Sequence, residues 1–322
     1  MLGFVIQRLG QAFVVMFCTS ILVFVGVYAI GNPIDVLISP DATQEIRDQL
    51  MTRYGFDLPL YQQYFGFVDR LLHHDFGTSL VFNIPVTELI LNRLPATLEL
   101  TLVAVLGAAL IGIPLGMYAG YRPAGAPARI IMALSTVGFS VPTFWIGLVL
   151  IFTFSVTLGW LPAGDRGETV RFLGADWSVF TLDGWRHLLL PAANLALFKL
   201  SLMIRLARAG TRELMLTDTI KFARASGQSE WTLLRRHVLR LISIPLVAVF
   251  GLELGSTLAF AVVTETIYSW PGLGKLIIDS IFSLDRPVML AYLILVAFLF
   301  IVINLLVDIS YAALDPRLRR KA

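Results

Sequence analysis

From Leu9 to Ile30 the chain carries no charged side chain, then turns polar, and this alternation of long apolar runs with polar sections continues to the end. A helix rising about 1.5 Å per residue needs about 20 apolar residues to cross about 30 Å of hydrocarbon. Six stretches meet or approach that length: Leu9–Ile30, Leu100–Tyr121, Ile130–Trp160, His187–Ile204, Leu241–Ile267 and Val288–Leu314. The pattern predicts an all-α polytopic membrane protein with six transmembrane helices. The first run exceeds the roughly 7–15 residue core of a signal peptide, and no small-x-small site convincingly follows it, so it reads as a retained span. The third is too long for one straight crossing, and Pro142 predicts a break into a lead-in segment and a span proper. The fourth is the weakest, interrupted by Pro191, Asn194 and Lys199. In the second, Gly107, Gly112, Pro114 and Gly116 suit close helix packing in lipid.

The polar sections divide the chain into residues 1–31 (a first span), 32–95, a five-helix unit 96–314 and a basic tail 315–322. Section 32–95 has turn signals at Asn32-Pro33, Ser39-Pro40 and Gly77-Thr78-Ser79, and predicts a few short helices without a large core. Section 161–186 carries Trp177 and Trp185 and adjoins Trp160, residues suited to a membrane interface. Six crossings put both termini on one side. That side holds 15 of the 25 Lys and Arg, whereas the three opposite loops hold nine cations against 14 acids. By the excess of cations in cytoplasmic loops, the termini and residues 205–240 face the cytoplasm.

Composition agrees with a lipid environment. Hydrophobic residues make up 57% and charged residues 15% of the 322, mean hydropathy is +0.78, and the formal charge of +3 is too small to point to nucleic acid as a partner. The single Cys18 rules out an internal disulfide.

One polar stretch interrupts this regime: TDTIKFARASGQSEW, residues 217–231, followed by TLLRRHVLR. Asp218 is a fair N-cap for a helix over Thr219–Ser226, Gly227 suits its left-handed end, and Ser229 can cap the next helix with Glu230 in its first turn. Small residues at Ala223, Ala225, Ser226 and Gly227 leave a low-bulk surface open to another protein. An ordinary juxtamembrane basic loop meeting anionic lipid is the plainer alternative.

The run ARASGQSEWTLLRRHVLRLISIP resembles the cytoplasmic coupling segment of ABC importer permeases of the oligopeptide, dipeptide and nickel branch, including the spacing from Gly227 to Pro245. Further stretches agree in order: YGFDLPLY from Tyr54, DFGTS from Asp75, RLPATLEL from Arg93, GIPLG from Gly112, SVPTFW from Ser140, ETIYSWPGLG from Glu265 and DISYAALDPR from Asp308. Lys221-Phe222-Ala223 departs from the Glu-Ala-Ala common elsewhere among such importers. The resemblance implies the type I importer permease fold in a bacterial inner membrane, and a coupling role for Asp218, Ala223, Arg224, Ala225, Gly227, Ser229 and Glu230. It also implies a second homologous permease subunit as heterodimer partner, two cytoplasmic ATPase subunits and an extracytoplasmic binding protein. No cofactor or metal is expected on this chain, and ATP with Mg would be used by the ATPase subunits. The absence of a Gly-x4-Gly-Lys-Ser/Thr phosphate loop agrees with that division. Peptides are the implied substrates, with nickel, glutathione or another small solute as alternatives.

Two other classes compete. A membrane enzyme needs converging ligands or a nucleophile with its base, yet His73, His74 and Asp75 are adjacent in sequence, and Ser155 and Ser243 have no histidine partner near them. An ion-coupled transporter needs ionisable groups within spans, and Lys199, Glu253, Glu265 and Asp308 exist. Lys199, Glu253 and Asn194 are therefore candidate pathway residues, although Lys199 could equally snorkel or pair structurally. Trp270, Pro271, Gly272 and Gly274 are candidates for facing the binding protein, or else form a tight re-entrant turn.

Overall fold

The computed structural model describes residues 2–30 and 43–314. The turn signals at Asn32-Pro33 and Ser39-Pro40 and the basic tail lie outside them. In order come α1 (Leu2–Ile30), α2 (Gln44–Tyr54), α3 (Leu60–Leu72), α4 (Val86–Tyr121), α5 (Ala126–Ser140), α6 (Thr143–Thr157), the antiparallel strands β1 (Val170–Phe172) and β2 (Ala175–Trp177), α7 (Leu182–Met215), α8 (Asp218–Ala225), α9 (Glu230–Phe260), α10 (Val262–Ile267), α11 (Leu273–Phe282) and α12 (Arg286–Leu314). Helices α1, α4, α7, α9 and α12 are long and apolar enough to cross a membrane.

The sixth crossing is bent. Helices α5 and α6 meet at 107° across Val141-Pro142, where Val141 takes the extended backbone that a following proline imposes (φ −87°, ψ 134°). That α5 and α6 nevertheless return the chain follows from α4 and α7, which run parallel. Glycines 112, 116 and 120 of α4 meet Met203, Ile204 and Arg208 of α7 in ascending order, and Leu188 near the start of α7 packs with Ala96 and Leu100. The chain leaving α4 must therefore come back to the end where α4 began before α7 starts. The glycines are what let the two helices touch: a Cβ at Gly116 would stand 2.4 Å from the Ile204 carbonyl oxygen, and one at Gly120 2.6 Å from that of Arg208.

Several helices outrun their apolar cores. Helix α4 begins at Val86, well before Leu100, and runs unbroken through Pro95 and Pro114, so the boundary expected at residue 95 falls inside it. Each internal proline forfeits one backbone hydrogen bond, a loss that packed neighbours can make good in lipid. The expected fifth span ends early: α9 stops at Phe260, and the chain turns at Ala261 into the separate helix α10. Section 161–186 contains the β1–β2 hairpin, an element the hydropathy pattern did not signal. Glu99 of α4 anchors this section by accepting from Arg166 Nε at 2.6 Å and from the Ser178 amide and hydroxyl at 2.9 and 2.6 Å.

Among the described residues, three clusters fill the interior. Phe24, Phe67, Ile90, Ile277 and Met289 join α1, α3, α4, α11 and α12. Leu100, Leu188 and Trp270 join α4 and α7 to the chain after α10. Met203, Ile220, Leu233 and Ile242 join α7, α8 and α9 at the basic end.

Candidate functional site

The basic end holds the segment singled out by its polarity. Thr217 is extended (φ −71°, ψ 150°) and its hydroxyl donates to the Leu214 carbonyl at 2.6 Å, so it precedes the helix, and Asp218 is the first helical residue of α8 rather than the cap. The Asp218 carboxylate instead accepts from Lys221 Nζ at 3.0 Å. At the other end Gly227 takes the left-handed conformation expected of it (φ +81°). The Gly227 amide donates to Arg224 O at 3.0 Å and the Gln228 amide to Ala223 O at 3.3 Å, the paired closure that ends many helices on glycine. Ser229 Oγ then accepts from the Thr232 amide at 3.3 Å, capping α9.

A cross-link spans the turn. Arg224 Nε and Nη2 donate to the two Glu230 carboxylate oxygens at 2.8 and 3.1 Å, and this bond holds the guanidinium pKa above its usual value. A second bridge joins Gln228 Oε1 and His237 Nε2 at 2.8 Å. The first turns of α9 also contain a wider, π-type stretch over Leu233–Val238, a geometry frequent at functional sites.

The faces of α8 differ from the expected low-bulk surface. Ile220 and Ala223 are buried against Met203, Ala207, Leu233, Val238 and Ile242, so Ala223 fastens α8 to its own chain and offers nothing outward. Ala225, Ser226 and Gly227 are exposed. The prominent outward groups are large: Phe222 at 75% exposure, with Trp231 and Leu216 each at 71%. Sequence reasoning passed over all three; the signal available was Ile220 and Ala223 at a spacing of three, which turns Phe222 to the opposite face.

At the other end of the bundle, Trp270-Pro271-Gly272-Leu273-Gly274 forms a re-entrant turn folded around the Glu265 side chain. Trp270 is fully buried and donates from Nε1 to the Ala96 carbonyl at 2.9 Å. Glu265, 0% exposed, accepts from Thr97 Oγ1 at 2.7 Å and from the Lys275 amide at 2.9 Å, and the Leu273 amide donates to Thr97 Oγ1 at 2.7 Å. The carboxylate thus caps the N-terminus of α11 from another helix, where it meets the positive end of the dipole. Glycine is required for this approach, since a Cβ on Gly272 would lie 2.4 Å from the Glu265 carboxyl carbon. Gly272 and Gly274 are buried and Pro271 half-buried. Of the two readings of this motif the buried turn is the one observed, and Trp270, Gly272 and Gly274 present no surface to a binding protein.

The pathway candidates separate. Asn194 is fully buried, donates to Thr264 Oγ1 at 3.3 Å and packs against Gly147, a joint among α6, α7 and α10. Lys199 and Glu253 find each other: Nζ of Lys199 on α7 lies 3.1 Å from Oε2 of Glu253 on α9, the side chains 10% and 15% exposed. Asp308 pairs with Arg8 at 3.0 Å.

Comparison with known proteins agrees with this architecture. The family described as binding-protein-dependent transport system inner membrane component matches residues 112–320, and its N-terminal companion family matches residues 1–101. The oligopeptide transport system permease protein AppB of Bacillus subtilis is 38% identical over 320 residues, 99% of each chain. The di/tripeptide transport system permease protein DppB of Pseudomonas aeruginosa is 37% identical, and the glutathione transport system permease protein GsiC of Escherichia coli K12 is 35% identical, each over the full length of both chains. Among solved structures, an inward-facing form of the MetNI methionine ABC transporter has a similar fold, with TM-score 0.56 at 18% identity, covering 71% of this chain and 97% of the other. This chain therefore belongs to the family of binding-protein-dependent transport system inner membrane components, as a permease subunit of an ABC importer.

Proposed function

We propose that this permease forms half of a translocation pathway for di- or oligopeptides and that α8 with the start of α9 is its coupling segment, docked on an ATPase subunit. The carrying observation is the pair of large aromatic side chains, Phe222 on α8 and Trp231 at the start of α9, exposed at the end of the bundle where cations concentrate, with α8 fastened to α9 by buried Ile220 and Ala223. Burying an aromatic side chain at an interface supplies much of its affinity. A helix so fastened passes displacement on to α9 as a rigid body. Residues 205–240, both termini and the basic tail face the cytoplasm on this reading. The complex comprises a second homologous permease, two ATPase subunits that bind ATP and Mg, and an extracytoplasmic binding protein.

Peptides are favoured as substrates by the names of two relatives, one an oligopeptide and one a di/tripeptide permease. Glutathione is the second reading, from the relative named for it. Reconstituted complex in proteoliposomes, given ATP and loaded binding protein, tests both. Accumulation of labelled di- or tripeptide supports the proposal, and accumulation of glutathione alone replaces the substrate.

A further inference from the structure

Lys199 and Glu253 form an ion pair within two spans. Lys199 lies within the apolar part of α7, 12 residues after His187 and five before Ile204, and Glu253 lies 12 residues, about 18 Å of helix, beyond Leu241 where the apolar part of α9 begins. An ion pair at that depth is poor as a stability device, because desolvating two charges cancels most of their attraction, and hydrophobic replacements often do as well. Ionisable groups inside spans are retained chiefly where they serve a path. This pair is also not sealed. Both side chains keep partial exposure, and on the face of α9 beside Glu253, Leu252 is 55% and Phe260 77% exposed, with Ser256 between them half-buried.

We infer that the Lys199–Glu253 pair is a reception point for substrates carrying one free ammonium and one free carboxylate, such as peptides with unmodified termini. The chemistry is an exchange of partners. The protein's pair opens, Lys199 takes the substrate carboxylate and Glu253 takes its ammonium, so two ion pairs replace one and no net charge enters the membrane interior. A solute with only one sign of charge leaves one partner stranded. The pair would then discriminate by terminal charge and ignore side chains, which suits an importer of many sequences. The inference rests on the peptide reading above.

The test uses the whole complex with its own binding protein, at saturating loads of a tripeptide with free termini, its N-acetylated form and its C-amidated form. Because the same binding protein delivers each peptide, its own preference cancels in the ratio of variant to wild type. Lys199→Gln should lower uptake of the free peptide relative to the C-amide by at least about tenfold, and Glu253→Gln should do the same relative to the N-acetyl form, the scale of one charged hydrogen bond. Equal losses on all three peptides would mark a structural pair and overturn the inference. Where capped peptides are not delivered, a free-terminus tripeptide with a photoreactive central residue replaces them, in complex held by a non-hydrolysable ATP analogue. Labelling of α7 or α9 that disappears in both variants supports the inference; labelling elsewhere, or unchanged labelling, overturns it. No peptide uptake by wild type would instead remove the peptide reading itself.

Discussion

Two glycine turns, at opposite ends of the bundle, are built on opposite principles. Around Gly272 the chain closes on a buried carboxylate: Glu265 and Thr97 take up backbone amides of α11, Trp270 is sealed inside, and no Cβ fits. Around Gly227 there is open space, with nothing within 4 Å of where a Cβ would stand. What holds that turn is its own backbone closure, a Ser cap and an exposed Arg224–Glu230 bridge, while large apolar side chains point outward. In the first turn glycine answers to packing, in the second to backbone conformation alone. The first is finished within one chain, whereas the second leaves large apolar side chains that the described residues of this chain do not cover.

The contrast can be broken by substitution. Gly272→Val should have the largest effect on stability, more than about 3 kcal/mol, because it drives a branched side chain into Glu265 and strands the amides it serves; failure to recover folded protein, or a steep fall in thermal unfolding temperature, is the expected readout. Ile220→Ala should cost roughly 3 kcal/mol of local stability by hollowing the contact between α8 and α9, seen as faster hydrogen exchange in α8 with the spans unchanged. Gly227→Val should cost about 1–2 kcal/mol, since a branched residue disfavours the left-handed backbone; the complex should assemble yet lose ATPase stimulation by loaded binding protein. Phe222→Ala should leave the unfolding temperature of the isolated permease within about 0.5 kcal/mol equivalent, while lowering uptake and weakening retention of the ATPase subunits on purification. If Phe222→Ala destabilised the permease as much as Ile220→Ala, the two faces of α8 would have been assigned the wrong way round.

Much of this molecule can be read along the chain because its causes are local. Apolar run length marks the spans, Pro142 marks the bend, and Gly227 with Ser229 marks a turn between two helices. What stays hidden is set by partners far away in sequence. Glu265 finds Thr97 across 168 residues, Asp285 receives the Ser79 hydroxyl across 206, and Lys199 meets Glu253 across 54. No periodicity announces such pairings: the Pro and Gly spacing at residues 270–274 favours a tight turn, but leaves a surface facing a binding protein as the alternative and says nothing of the carboxylate the turn closes on. The apolar runs fall short of α4 and α7 by a turn or more because polar residues such as Glu88, Arg93 and Arg212 extend a helix beyond its apolar part. The β1–β2 hairpin escaped for a related reason: it is held by Arg166 reaching Glu99, and its own strands are three residues each.

On the proposed reading the open turn faces an ATPase subunit and the closed turn lies on the far side of the membrane. A photo-cross-linking residue placed at Phe222, and separately at Phe282, which is comparably exposed at the end of α11, tests this in the assembled complex. Position 222 is expected to cross-link to an ATPase subunit, and position 282 is not. A cross-link to an ATPase from position 282, or none from position 222 in a complex that still hydrolyses ATP and imports, would contradict it.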